Sequence, residues 1–287
     1  MPRMKKQPNV ILMFVDDLGI GDVSAFNPEA QFKARNIDRL AARGMRFEDA
    51  HATSALCTPS RYGLLTGRYS WRSRLKSSVL PGDSEALIEK GRRTLAHLFQ
   101  DQGYRTAAVG KWHLGLDWAL KPEKDYKAYH VDPSQYQDPK YRKGRKHRFG
   151  NGSYDPPVRG TDIDYIKPIS YGPNQLGFDY FFGTPASTDQ GPFVYVENDR
   201  VVDPPTMLTG TEVLDRWSAT MQRSWELGVT SPEVSPYQIP VDMQNKVMEL
   251  LEDFTQEEKP FFLYYPCHLV HGALLPREEF EGTSGVG

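Results

Sequence analysis

The chain has 287 residues, enough for one large domain or about two of average size. Lys and Arg total 35 against 37 Asp and Glu, a net charge of −2, so no overall basic field marks a nucleic-acid binder and any anion must be met by local groups. Apolar residues make up 39% of the chain and no apolar run approaches the roughly 18 residues of a membrane-spanning helix, which excludes a transmembrane protein.

Met1 to Pro8 carries Arg3, Lys5 and Lys6 ahead of an apolar run, superficially like an export signal. That run, Val10 to Val15, is too short and ends in Asp16-Asp17 rather than in small residues, so it predicts a fully buried strand and a cytoplasmic chain. Asn36 to Arg43 places Ile37, Leu40 and Ala41 on one helical face and meets Gly44 as a stop. Thr94 can cap a second helix in which Leu95, Leu98 and Phe99 share a face, ended by Gly103; Tyr104 to Val109 then reads as a strand. From about 117 to 240 the chain is rich in Pro, Gly and Tyr without clear periodicity, which predicts a loop-rich insert with short strands, a natural place for substrate selection. Helical spacing returns at Met243, Val247, Leu250, Leu251 and Phe254, and after Pro260 the run Phe261 to Tyr265 is a third strand. Strands alternating with helices predict an α/β fold with a mostly parallel sheet.

In such sheets ligands bind beyond the carboxyl ends of the strands. The first strand delivers Asp16 and Asp17, the second ends in Gly110-Lys111-Trp112-His113, and the third runs into Cys267-His268-Leu269-Val270-His271. Adjacent carboxylates repel, and a hard divalent cation removes that cost by accepting oxygen ligands from both. The plainer alternative is a solvated turn or a helix cap.

Cys57-Thr-Pro-Ser-Arg61 is more specific. With Thr58 as cap and Pro59 as first helical residue, Cys57 sits just before a helix N-terminus and Arg61 lies one turn inside. Amide donors and a guanidinium facing a thiol favour its anionic form and bind oxyanions. A small buried cysteine beside a surface arginine is the competing structural reading. Only Cys57 and Cys267 occur; a bridge between them is possible, but each adjoins residues with more specific readings.

Asn9-Val-Ile-Leu-Met-Phe-Val-Asp-Asp17, Cys57-Thr-Pro-Ser-Arg-Tyr-Gly-Leu-Leu-Thr-Gly-Arg68 and Gly110-Lys-Trp-His-Leu-Gly115 together resemble the type I, formylglycine-dependent sulfatases of the alkaline phosphatase superfamily. Asn36 to Gly44, Gly177 to Gly183 and Pro260 to Tyr264 are similar to further landmarks of that family, so the resemblance spans nearly the whole chain.

The resemblance implies a three-layer α/β/α sandwich and hydrolysis of a sulfate ester of a carbohydrate or aryl alcohol. It implies that a maturation enzyme converts Cys57 to formylglycine. The hydrate of that aldehyde would attack sulfur with one hydroxyl and expel sulfate through the other. Asp16 and Asp17, with the modified Cys57, would bind a divalent cation, most often calcium; Arg61 would hold the formylglycine; Lys111 and His113 would contact the diol and sulfate, with His113 as the base that triggers sulfate release; and His271 would protonate the leaving oxygen, with His268 a weaker choice. Read singly, Lys111 is a surface charge and each histidine a structural one.

Family members continue past the position of Gly287 to an Asp-Asn pair that completes the metal site and to a sulfate-binding lysine. The chain therefore reads as an N-terminal catalytic portion, and two carboxylates alone predict weak metal binding and little turnover, since calcium takes roughly six to eight oxygen ligands. Proteins of this family are commonly exported. Lys140 to Arg148 is a basic run, either a solvated loop or a site of attraction for a polyanionic glycan. The rival activities are phosphonate or phosphate monoester hydrolysis in the same superfamily and noncatalytic binding of sulfated glycans.

Overall fold

The computed structural model describes residues 7–122, 158–208, 227–272, 278–280 and 282–283. In chain order its main elements are β1 (Val10–Val15), α1 (Arg35–Arg43), α2 (Cys57–Thr66), α3 (Leu95–Asp101), β2 (Arg105–Lys111), β3 (Val158–Arg159), β4 (Tyr180–Thr184), β5 (Val196–Glu197), β6 (Arg200–Val201), β7 (Met207–Leu208), β8 (Leu227–Thr230), α4 (Ile239–Thr255) and β9 (Phe261–Cys267).

A six-stranded sheet runs in the order β1-β9-β2-β4-β5-β6. Its first four strands are parallel and the last two antiparallel. Strand side chains alternate between faces, so each strand feeds two cores. On one face Ala107, Val109, Phe261 and Leu263 meet Met243, Val247, Leu250 and Phe254 of α4, whose spacing of three and four residues makes one apolar stripe. On the other face Ala108, Phe262 and Tyr264 pack with Tyr62 and Leu65 of α2 and Ala96 of α3. Helices on both faces of a mostly parallel sheet give the α/β/α layering.

The stretch 117–240 contributes β4, β5 and β6 to this sheet, and also the small sheet β3-β8-β7. The basic run 140–148 lies outside the described residues. Among the described residues no helix is long and apolar enough to cross a membrane.

Three sequence expectations need correction. β1 is an edge strand, not a fully buried one: Ile11 and Met13 lie beside Leu263 and Tyr265 on the α4 face, but α4 packs over β9, β2 and β4, leaving Ile11 49% and Met13 58% exposed. The apolar face of α1 is likewise uncovered, with no residue of the helix buried and Leu40 73% exposed. On α3, Ala96 is buried and Leu98 is exposed, while Thr94 accepts the predicted capping bond from the His97 amide.

Candidate active site

Because β1, β9, β2 and β4 are parallel, their carboxyl ends open on one side, and four chain segments converge there. Asp16 follows β1 directly. Its amide donates to the Leu269 carbonyl at 3.1 Å and its carbonyl accepts from the Val270 amide at 2.8 Å, which ties it to the segment after β9. The Asp16 carboxylate accepts a hydrogen bond from Lys111 Nζ and faces Arg61 Nη2 at 3.2 Å. Burial alone would raise its pKa, but the Lys111 and Arg61 charges override this and bring it to about 2. Asp17, at a left-handed φ of 58°, turns its exposed carboxylate toward His271 Nε2, 3.8 Å away.

Cys57 is the first residue of α2, with Leu56 as cap; Thr58 does not cap the helix, a correction to the sequence reading. The Thr58 hydroxyl instead donates to the His113 carbonyl at 2.9 Å and accepts from the Leu80 amide at 3.1 Å. Pro59 is tolerated there because first-turn amides lack helical acceptors. Lys111 Nζ lies 3.3 Å from the Cys57 sulfur. Both cysteines are free thiols, so no Cys57–Cys267 bridge forms. Burial pushes the Cys267 thiol up to about 11.

Arg61 is fully buried, contrary to the surface reading. Nη1 donates to the Lys111 carbonyl at 2.6 Å and the guanidinium lies over Phe14. Nε has no hydrogen-bond partner, and Nη2 meets Asp16 as an ion pair without hydrogen-bond alignment. Buried donors left open in this way are suited to an oxyanion. Lys111 is placed by Gly110, whose φ of 132° and contact with the Pro266 carbonyl oxygen leave no room for a Cβ.

The three histidines differ. His113 directs Nε2 to the Leu80 carbonyl at 2.8 Å, so this nitrogen carries the proton and Nδ1 is a bare acceptor with no partner. Burial, then the Lys111 and Arg61 charges, hold its pKa well below the usual imidazole range. His268 directs Nε2 to Thr184 Oγ1 at 2.7 Å; that hydroxyl donates to the Ala186 carbonyl and so accepts from the ring. Its pKa is also held well below normal by burial. His271 is open to the site: Nδ1 meets Ser187 Oγ at 3.2 Å and a ring nitrogen lies within 4.8 Å of the Cys57 sulfur. Burial pushes the His271 pKa down, but the Cys57 contact and the Asp189 charge leave it above the ordinary value.

Thus Asp16, Asp17, Cys57, Arg61, Lys111 and His271 come together at the strand ends, and His113 and His268 lie buried beside them, each with Nε2 engaged, Nδ1 without a partner and the Lys111 and Arg61 charges nearby. Ser187, Asp189 and the Leu80 carbonyl were missed. The first two follow β4, so the rule that selected the other residues would have selected them had that strand been predicted.

One ligand atom each from Asp16, Cys57 and His271 lie within 4.8 Å of one another. An oxygen, a sulfur and a nitrogen are not the all-oxygen shell of calcium. The hard donors are the Asp16 and Asp17 carboxylates, which fit such an ion as part of its shell, and among the described residues they do not complete it.

A sequence model of the sulfatase family matches residues 8–286. The chain is 33% identical to an N-acetylgalactosamine-6-O-sulfatase of Bacteroides thetaiotaomicron, over 98% of this chain and 52% of the relative. It is 31% identical to bovine arylsulfatase A, over 98% of this chain and 44% of that protein. A solved structure from work on glycosaminoglycan metabolism by Bacteroides thetaiotaomicron superimposes with a TM-score of 0.72 at 30% identity, covering 98% of this chain and 55% of its own. The chain spans about half the length of these relatives. With the strand order, the convergent site and these similarities in agreement, the chain belongs to the sulfatase family.

Proposed function

We propose that the protein hydrolyses sulfate esters, with a sulfated carbohydrate or aryl sulfate as substrate. The observation that carries this reading is the placement of Lys111 and His271 at Cys57, the first residue of α2, with the buried Arg61 one turn on in the same helix. A relative named for N-acetylgalactosamine-6-O-sulfate supports the carbohydrate class.

Formylglycine, made from Cys57 by a maturation enzyme, would supply a hydrated aldehyde as nucleophile in place of a thiol. A divalent cation, held in part by Asp16 and Asp17, would supply a positive charge to polarise sulfate oxygens. The chain's own residues do the rest. Lys111 and the open N–H groups of Arg61 bind the charged oxygens and orient sulfur against residue 57. His271, exposed enough to touch substrate, holds a proton at Nε2 for the departing alcohol oxygen. His113 offers only Nδ1, as an acceptor for a proton from residue 57.

Parallel assays of the full-length protein on an aryl sulfate, an aryl phosphonate and an aryl phosphate test this reading. Sulfate turnover is expected to exceed the others by at least about 100-fold, a margin of roughly 3 kcal/mol. Preference for phosphonate or phosphate would overturn it.

A further inference from the structure

Helix α2 carries residue 57 at its start and stops at Gly67, whose φ of 64° turns the chain out of the helix. Just beyond, Tyr69 and Trp71 stack their rings with centroids 4.0 Å apart and planes at 11°. The pair stays in solvent, Tyr69 48% and Trp71 54% exposed. It is held from behind. A single 3₁₀ turn, Ser70–Arg72, closes through the Arg72 amide to the Tyr69 carbonyl at 3.1 Å and the Ser73 amide to the Ser70 carbonyl at 2.8 Å. Arg68 Nη2 donates to the Arg72 carbonyl at 3.1 Å, and Lys76 Nζ donates to the Trp71 carbonyl at 2.7 Å. The two rings thus form a ledge at the surface that is ordered before any ligand arrives.

Charge indicates what the ledge faces. Residues 67–82 include Arg68, Arg72, Arg74 and Lys76 and no acidic residue. Arg68 is paired with Glu89 at 3.1 Å, but among the described residues the exposed Arg72, Arg74 and Lys76 form no ion pair. Arg74 directs Nη2 to the Glu85 and Ala86 carbonyls, which order the side chain without cancelling its charge.

A single exposed aromatic residue needs no explanation, whereas a stacked pair rimmed by unneutralised cations does. An aromatic face suits the C–H-bearing face of a pyranose, whose polarised hydrogens meet the negative π cloud while its hydroxyls stay in water. Guanidinium forks match sulfate oxygens at the rim. We propose that the Tyr69–Trp71 stack, with Arg72, Arg74 and Lys76, is a second binding surface for a sulfated polysaccharide. It is separate from the reacting centre: α2 rises about 1.5 Å per residue, which puts its far end on the order of 15 Å from residue 57. A polymer held there presents its other esters to the site at raised local concentration. The choice of a sulfated sugar over other stacking polyanions rests on the proposed function; the surface itself does not.

The test is calorimetric titration of the full-length protein carrying Cys57→Ala, which consumes no polymer, with dextran sulfate. Unsulfated dextran, polyphosphate of matching charge and oligothymidylate are the controls. Dextran sulfate is expected to bind at least about tenfold tighter than each, with affinity falling as salt rises. Trp71→Ala should weaken it about tenfold or more, and Trp71→Phe should keep most of the affinity because a ring remains. Arg72→Ala with Arg74→Ala should weaken binding and flatten its salt dependence. These side chains are exposed, so the core stays intact, and in protein that retains Cys57 the kcat and KM on a small aryl sulfate should not change. Equal affinity in Trp71→Ala and its parent, or polyphosphate binding as tightly as dextran sulfate, would overturn the inference. Tighter binding of oligothymidylate would overturn it too, by assigning the surface to nucleic acid. Trp71-dependent binding of dextran sulfate by a protein that turns over no sulfate ester would sink the proposed function and leave this surface standing.

Discussion

The Lys111 ammonium lies 3.3 Å from the Cys57 sulfur while it donates to the buried carboxylate of Asp16. One cation thus joins the end of β2, the end of β1 and the start of α2. It stabilises the fold and charges the site at once. Lys111→Met should cost about 3–5 kcal/mol, the usual range for removing one partner of a buried pair. Aryl sulfate turnover should fall well beyond what the remaining folded fraction explains. Urea melts and single-turnover rates on the same samples check both; a variant as stable as the parent would contradict the shared role.

His113 and His268 are neutral in the fold because burial depresses their pKa values. The unfolded chain titrates near the ordinary imidazole value of about 6.5, so below that pH it binds protons that the native state refuses. The stabilisation is complete above about pH 6.5 and is lost as pH falls toward the folded-state values. Asp16 adds a separate acid stage: its stabilisation is present above its ordinary carboxylate range and is lost as pH falls through about 2. Urea midpoints should decline steadily from about pH 7 to 5, and His268→Gln should flatten that slope. Midpoints independent of pH over this range would show that these rings are not buried neutral.

His268 and His271 are three residues apart and should fail in different ways. His271→Ala leaves the core untouched and should lower kcat by about 100-fold or more at nearly unchanged melting temperature. His268→Ala leaves a buried void beside Thr184 and should lower the melting temperature, with activity following the folded fraction. The reverse pattern, read by calorimetry beside initial rates, would reassign the acid.

Asp17 is the accessible carboxylate of the pair, so Asp17→Ala should keep the baseline stability and abolish any rise in melting temperature on adding calcium. Asp16→Ala should lose both, since it strands Lys111 and Arg61. A calcium-induced rise unchanged in Asp17→Ala would place the ion elsewhere. Titration calorimetry on the 287-residue chain should find weak binding, because Asp16 is already engaged by Lys111 and Arg61 and Asp17 is exposed.

Much of this was legible in the sequence because the chemistry sits in short motifs at strand ends: Asp16-Asp17 after β1, Lys111 to His113 after β2, His271 after β9. Helix α4 was legible from its spacing. β4 was not, because Tyr180-Phe-Phe-Gly-Thr184 lacks strict alternation and lies in a Pro-, Gly- and Tyr-rich tract, and with it Ser187 and Asp189 escaped notice. The edge position of β1 was hidden too. Val-Ile-Leu-Met-Phe-Val reads the same whether or not a helix covers Ile11 and Met13. Nor can a local pattern show that Arg61 turns inward, since its partners Asp16 and the Lys111 carbonyl are distant in the chain.

Mass spectrometry of the tryptic peptide Phe47 to Arg61, taken from protein active on an aryl sulfate, tests the central claim most directly. The account predicts a species lighter than the cysteine peptide by the mass lost when the side-chain CH₂SH becomes CHO. An unaltered cysteine throughout such active protein would contradict it.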